Sequence, residues 1–112
     1  MNIAVVGSRG YPSREKVVNY VLALPAGTMV ISGGAVGVDS WAEEAAKKAG
    51  LSTHILPAEW SKYGKVAGFM RNGQIVALSA KVVAFWDGES RGTLDTIKKA
   101  VKSGKPVEIY GP

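Results

Sequence analysis

The chain has 112 residues, 46% of them hydrophobic, with a formal net charge of +5 from 14 basic and 9 acidic residues. That length makes one domain, 1–112, with enough apolar content for a small core. The lack of cysteine excludes disulfides and thiolate metal sites, and the single histidine, His54, cannot build a metal cluster alone.

Residues 2–6 form the first expected strand, Ile3 to Val6 being a strand-length apolar run. Met1 leads straight into it, so no signal peptide is expected. No apolar run nears the roughly 20 residues that span a membrane. The expectation is a cytoplasmic protein without a membrane partner. Gly7-Ser8-Arg9-Gly10 follows the strand. Gly7 permits a tight turn, Ser8 adds a hydroxyl, and Arg9 adds a planar cation suited to phosphate. The same residues would also serve as a plain strand-to-helix turn with a surface arginine.

Ser13 is a candidate cap for a helix reaching about Leu24, with Val17, Val21 and Leu24 on one face. Residues 28–31 read as the second strand. Gly33-Gly34-Ala35-Val36-Gly37 then precedes a helix expected from about Val38 to Ala49. No lysine stands there, so it is not a Walker loop. Its glycines suit an anion-binding backbone concavity. Asp39 has two readings, a cap for that helix or a grip on a ribose hydroxyl. Residues 52–56 are the third strand, stopped by Pro57.

Residues 57–69 are the least regular stretch and read as a long loop, in which Trp60 and Tyr63 suit a lid or an anchor. Helical character resumes near Arg71, where Arg71-Asn72 suits phosphate and polar base edges. Residues 81–86 are the fourth strand, apolar enough to be covered on both faces. Trp86 at its end would stack on a base or pack against a helix. Asp87, Gly88, Ser90, Arg91, Gly92 and Thr93 follow, and Gly92-Thr93 opens the last helix with an arginine beside it, a second phosphate cradle or a simple cap. Lys98, Lys99, Lys102 and Lys105 read as a solvated helix face more readily than as a nucleic-acid patch. Residues 106–110 are the final strand.

This alternation predicts an α/β fold: a Rossmann-like three-layer α/β/α sandwich around a parallel five-stranded sheet. With strand order 3-2-1-4-5, the switch-point crevice lies between Gly7-Ser8-Arg9 and Trp86-Asp87-Gly88, where open parallel sheets bind ligands. The expected ligand is a small phosphate-bearing molecule, a nucleotide or nucleotide derivative, with no required cofactor and no metal.

Four motifs stand in order: Gly7 to Arg9, Gly33 to Asp39, Arg71-Asn72 and Phe85 to Thr93. Together they resemble the SLOG superfamily of Rossmann-like domains, nearest the short single-domain members related to YspA and YpsA. That resemblance implies a sensor or carrier of a nucleotide-derived ligand, often paired as a homodimer or higher oligomer. The stretch Arg71-Asn72-Gly73-Gln74-Ile75-Val76-Ala77-Leu78-Ser79 is also similar to the DNA-processing DprA family, which implies single-stranded DNA as an alternative partner. Met70-Arg71 and Gly92-Thr93 are similar to the LOG phosphoribohydrolases, which implies nucleotide hydrolysis as a third reading. Thr96 stands where that family's catalytic glutamate falls and cannot act as that acid or base. Asp95 is one residue away, about 100° around the helix. A hydrolase would have to use Asp87, Glu89 or Asp39 instead.

Overall fold

The computed structural model describes residues 1–112. The chain runs β1 (Asn2–Gly7), α1 (Arg14–Leu22), β2 (Met29–Ser32), α2 (Val38–Lys48), β3 (Ser52–Ile55), α3 (Trp60–Tyr63), a 3-10 turn (Gly64–Val66), α4 (Ala67–Leu78), β4 (Lys81–Phe85), α5 (Arg91–Lys102) and β5 (Val107–Tyr110). All five strands are parallel, in the order β3-β2-β1-β4-β5. The expected fold class and strand order are therefore observed.

Right-handed crossovers explain the layering. The chain winds outward from β1 to β3, placing α1 and α2 on one face. It then returns across the sheet to β4 and β5, placing α4 and α5 on the other. Alternation along each strand feeds both layers. Ile3 and Val5 of β1, with Val83 and Phe85 of β4, join Val17, Val21, Val38 and Ala42 under α1 and α2. Ala4 and Val6, with Val82 and Ala84, join Ile31, Ile75, Val76, Ile97 and Ala100 under α4 and α5. Val17 and Val21 are fully buried, as their helical spacing requires. Each such side chain contributes about 1.5–3 kcal/mol by leaving water, so Val21→Asp would detach α1.

Two boundaries depart from expectation. Residues 57–69 are not a long loop, because α3, the 3-10 turn and the first turn of α4 occupy 60–69. Four- and three-residue helices are too short to show a 3.6-residue apolar period, and α3 buries no residue. The cap of α5 is Ser90 rather than Gly92-Thr93. Ser90 Oγ accepts from the Thr93 backbone N–H at 3.3 Å, so the helix begins one residue earlier, at Arg91. Ser13 caps α1 as read, accepting from the Lys16 N–H. Tyr20 and Lys81 both engage Glu108, which pins the β5 edge. These contacts hold the Glu108 carboxyl below its ordinary range, Lys81 contributing most. No helix is long and apolar enough to cross a membrane.

Candidate nucleic-acid interface

A crevice of about 410 Å³ opens at the carboxyl ends of the central strands, and four chain segments wall it. The first is the loop after β1. Ser8 is buried, and its backbone N–H donates to the Phe85 carbonyl at 3.1 Å. Its Oγ accepts from the Asp87 N–H at 3.2 Å and lies 3.4 Å from Thr93 Oγ1. Ser8 therefore clasps the β1 and β4 loops together across the switch point and does not itself line the crevice. Gly7 packs tightly there: a Cβ on it would lie 2.5 Å from the Phe85 carbonyl oxygen and 2.6 Å from Val38. Arg9 and Gly10 face the crevice. Arg9 is exposed, and no ion pair claims its guanidinium.

The second segment is the turn from β2 into α2. Gly37 stands at the head of α2 with φ of 84°, and a Cβ there would meet the Arg9 backbone at 2.8 Å. No side chain caps α2. Asp39 does not cap α2. Its Oδ2 reaches back to accept from the Gly33 and Ala35 N–H groups, each at 3.2 Å, and so fixes the shape of the glycine turn. Its Oδ1 is buried without a partner. Burial raises the Asp39 carboxyl to about 6, against the opposing pull of the Ala35 N–H, Arg71, the Gly33 N–H and Arg9. Ala35 and Asp39 line the crevice, whereas Gly33, Gly34 and Gly37 stand behind them as support.

The third segment is the start of α4. Arg71 Nη1 donates to the Gly33 carbonyl at 2.7 Å and, more weakly, to the Leu56 carbonyl at 3.5 Å. Its Nε donates to Asn72 Oδ1 at 3.2 Å. The guanidinium is thus held by the glycine turn through Nη1, and no hydrogen bond engages Nη2. Gly33 makes this seat, since a Cβ there would fall 2.3 Å from Arg71 Nη1. Asn72 donates through Nδ2 to the Gly92 carbonyl and to Asp95, bracing α4 against α5. Arg71 and Asn72 both line the crevice.

The fourth segment runs from β4 into α5. Asp87 Oδ1 accepts from the Glu89 and Ser90 N–H groups, both at 2.8 Å. These bonds hold its carboxyl below the ordinary range, Ser90 contributing most. Gly88 turns the chain there with positive φ. Asp87, Ser90, Gly92 and Thr93 line the crevice. Trp86 does not: it packs against the core beneath α4 and α5, and its indole N–H donates to the Ser90 carbonyl at 3.0 Å. Arg91 is exposed on the first turn of α5, outside the crevice wall, as are Gly88 and Glu89. Thr96 does line it, with Oγ1 bonded to the Gly92 carbonyl.

The rim built by α3, the 3-10 turn and α4 adds Trp60, which the sequence marked as a lid or an anchor, and Lys65 and Phe69, which it did not mark. An aromatic and basic stretch between regular elements was the available signal. The lysines on and just after α5 do not join the site. Lys99 is bonded to the Phe69 carbonyl and Asp95, Lys105 to the Ser79 carbonyl, while Lys98 and Lys102 are solvated.

The crevice therefore combines three cations, Arg9, Lys65 and Arg71, with the N-termini of α2 and α5. Its carboxylates, Asp39 and Asp87, are engaged by backbone N–H groups. Such a surface suits an anion carrying phosphate.

Fold and site together define a Rossmann-like domain with a cation-lined crevice at the switch point of its parallel sheet. Residues 1–60 match the family DNA recombination-mediator protein A, and the chain belongs to that family. It is 33% identical to the Gene 61 protein of Mycobacterium phage D29, over 97% of this chain and 95% of that one. Its fold is that of DNA processing protein A from Streptococcus pneumoniae, with a TM-score of 0.74 and 24% identity over 96% of this chain. DNA processing protein A from Helicobacter pylori, described for its single-stranded DNA binding mode, also gives 0.74, with 23% identity over 97% of this chain. The present chain spans 49% of the former structure and 64% of the latter.

Proposed function

We propose that this chain binds single-stranded DNA in the switch-point crevice, with the sugar-phosphate backbone held among Arg9, Lys65 and Arg71. The observation that carries this reading is the convergence of those three cations on one concave surface in a chain of the recombination-mediator family. The described binding mode of the Helicobacter pylori protein favours single-stranded DNA over a free nucleotide. Arg71 supplies a cation held by the glycine turn, and Arg9 an exposed one that no ion pair claims. The turn braced by Asp39 brings the uncapped start of α2 close to the same anion.

A second reading, a free nucleotide as ligand, is favoured by the size of the crevice, whose 410 Å³ is in the range of small-molecule sites. Fluorescence anisotropy with a labelled oligonucleotide, with mononucleotides as competitors, separates the two. The oligonucleotide is expected to bind, and Arg9→Ala and Arg71→Ala are each expected to weaken it about tenfold, as loss of one charge-assisted contact does. Full displacement by an equimolar mononucleotide would transfer the site to the second reading. Undiminished affinity in both variants would remove the crevice from DNA binding.

A further inference from the structure

We infer that Trp60 is a stacking platform for one unpaired base of the strand, set on the rim beside the phosphate-binding crevice; this rests on the single-stranded DNA reading. The chain has three tryptophans, and two of them are engaged. Trp41 packs against the core under α1 and α2, and Trp86 packs against the opposite core with its indole N–H bonded. Trp60 belongs to neither core, is 55% exposed, and donates no hydrogen bond. It nonetheless lines the crevice.

The other rim aromatics are already occupied. The ammonium of Lys62 lies over the Tyr63 ring at 5.1 Å, and that of Lys99 over the Phe69 ring at 5.6 Å. No cation lies over the Trp60 ring, so it is the rim aromatic with an unclaimed π surface. The ring is also seated. Its Cη2 lies 3.1 Å from the point where a Cβ on Gly68 would stand, so α4 supports the indole closely at a residue without a side chain. A large flat ring whose tip is seated on α4, more than half exposed and on the same crevice wall as Lys65, has the form of a base-stacking site: an aromatic face and a cation for the adjoining phosphate. The four-residue helix α3 buries nothing and positions this ring at the crevice.

The test uses the full chain and a short single-stranded oligonucleotide, read by anisotropy and by intrinsic tryptophan fluorescence. Trp60→Ala is expected to weaken binding about tenfold, the lower part of the range for loss of one base stack. Trp60→Phe keeps a smaller ring, and is expected to stay within about threefold of the parent while losing the fluorescence quench that DNA produces. Gly68→Ala, which displaces the indole without removing it, is expected to fall between the two. An abasic oligonucleotide should bind the parent and Trp60→Ala equally, because no base is there to stack. Quenching that survives in Trp60→Phe overturns the assignment, as does an Ala variant of parental affinity. If either occurs while Arg9→Ala still weakens binding, the stacking site fails and the crevice reading stands. If the parent binds no oligonucleotide, both fall.

Discussion

Asp39 makes the stability of this fold depend on pH in a direction opposite to that of most carboxylates. Its carboxyl lies near 6 in the folded chain, against 3.8 for the unperturbed group. The folded chain holds this proton more tightly than the unfolded chain does. Stability from this group is therefore greatest below 3.8, falls as pH rises through the interval, and reaches its lowest level above about 6. The difference of about two pKa units corresponds to about 3 kcal/mol at neutral pH. For a domain of this size that is roughly 10 °C in Tm. Asp87 and Glu108, both held below the ordinary range, act in the reverse sense and overlap on the acid side. The parent must accordingly be compared with Asp39→Asn, whose oxygen can still accept from the Gly33 and Ala35 N–H groups but does not titrate. Urea denaturation of both at half-unit steps from pH 3.5 to 7.5 gives the difference profile. The expected result is a fall of about 3 kcal/mol in the parent relative to the variant across that range, with its midpoint between 4 and 6. A flat difference profile would refute the claim that Asp39 is folded at the cost of its charge.

The remaining predictions concern the parts that hold the crevice together. Gly33→Ala drives a methyl group into the seat of Arg71 Nη1, where 2.3 Å is available. It should lower stability by about 2 kcal/mol through the lost charge-assisted bond, and weaken DNA binding as Arg71→Ala does; unchanged values of both would contradict the seating. Ser8→Ala leaves the Asp87 N–H without its acceptor and unclasps the two switch-point loops. A loss of about 1–2 kcal/mol in thermal or urea unfolding is expected, and no loss would mean the clasp is idle. Glu108→Gln should speed hydrogen exchange in 107–110, since Lys81 and Tyr20 both converge on that carboxylate. Its effect should disappear in acid, where Glu108 is protonated in the parent too.

The sheet was readable because its cause is local. Ile3 to Val6 and Val82 to Phe85 are continuous apolar runs, and only central parallel strands covered on both faces need them. Alternation of elements with right-handed crossovers dictates a parallel sheet covered on both faces but not its strand order, 3-2-1-4-5 being one doubly wound order among several. The site was readable as four segments, but not as a division of labour among their residues. Asp39 is the second residue of α2, where a capping role is the local inference, yet its partners are Gly33 and Ala35 upstream. Ser8 and Asn72 also join elements far apart in sequence, Ser8 from behind the crevice and Asn72 from its wall. Arg91 was grouped with its neighbours by position, and the first turn of α5 carries it outside the crevice wall. Lys65 and Trp60 enter from the opposite rim through helices too short to leave a periodic trace.

The most direct test of the central claim is the salt dependence of single-stranded oligonucleotide affinity, measured from 50 to 300 mM NaCl. Three crevice cations, each releasing about 0.7 of a counterion, predict a slope of log K against log salt of about −2. Arg9→Ala should reduce the magnitude of that slope by about 0.7. Absence of binding at 50 mM, or an affinity indifferent to salt, would contradict the account.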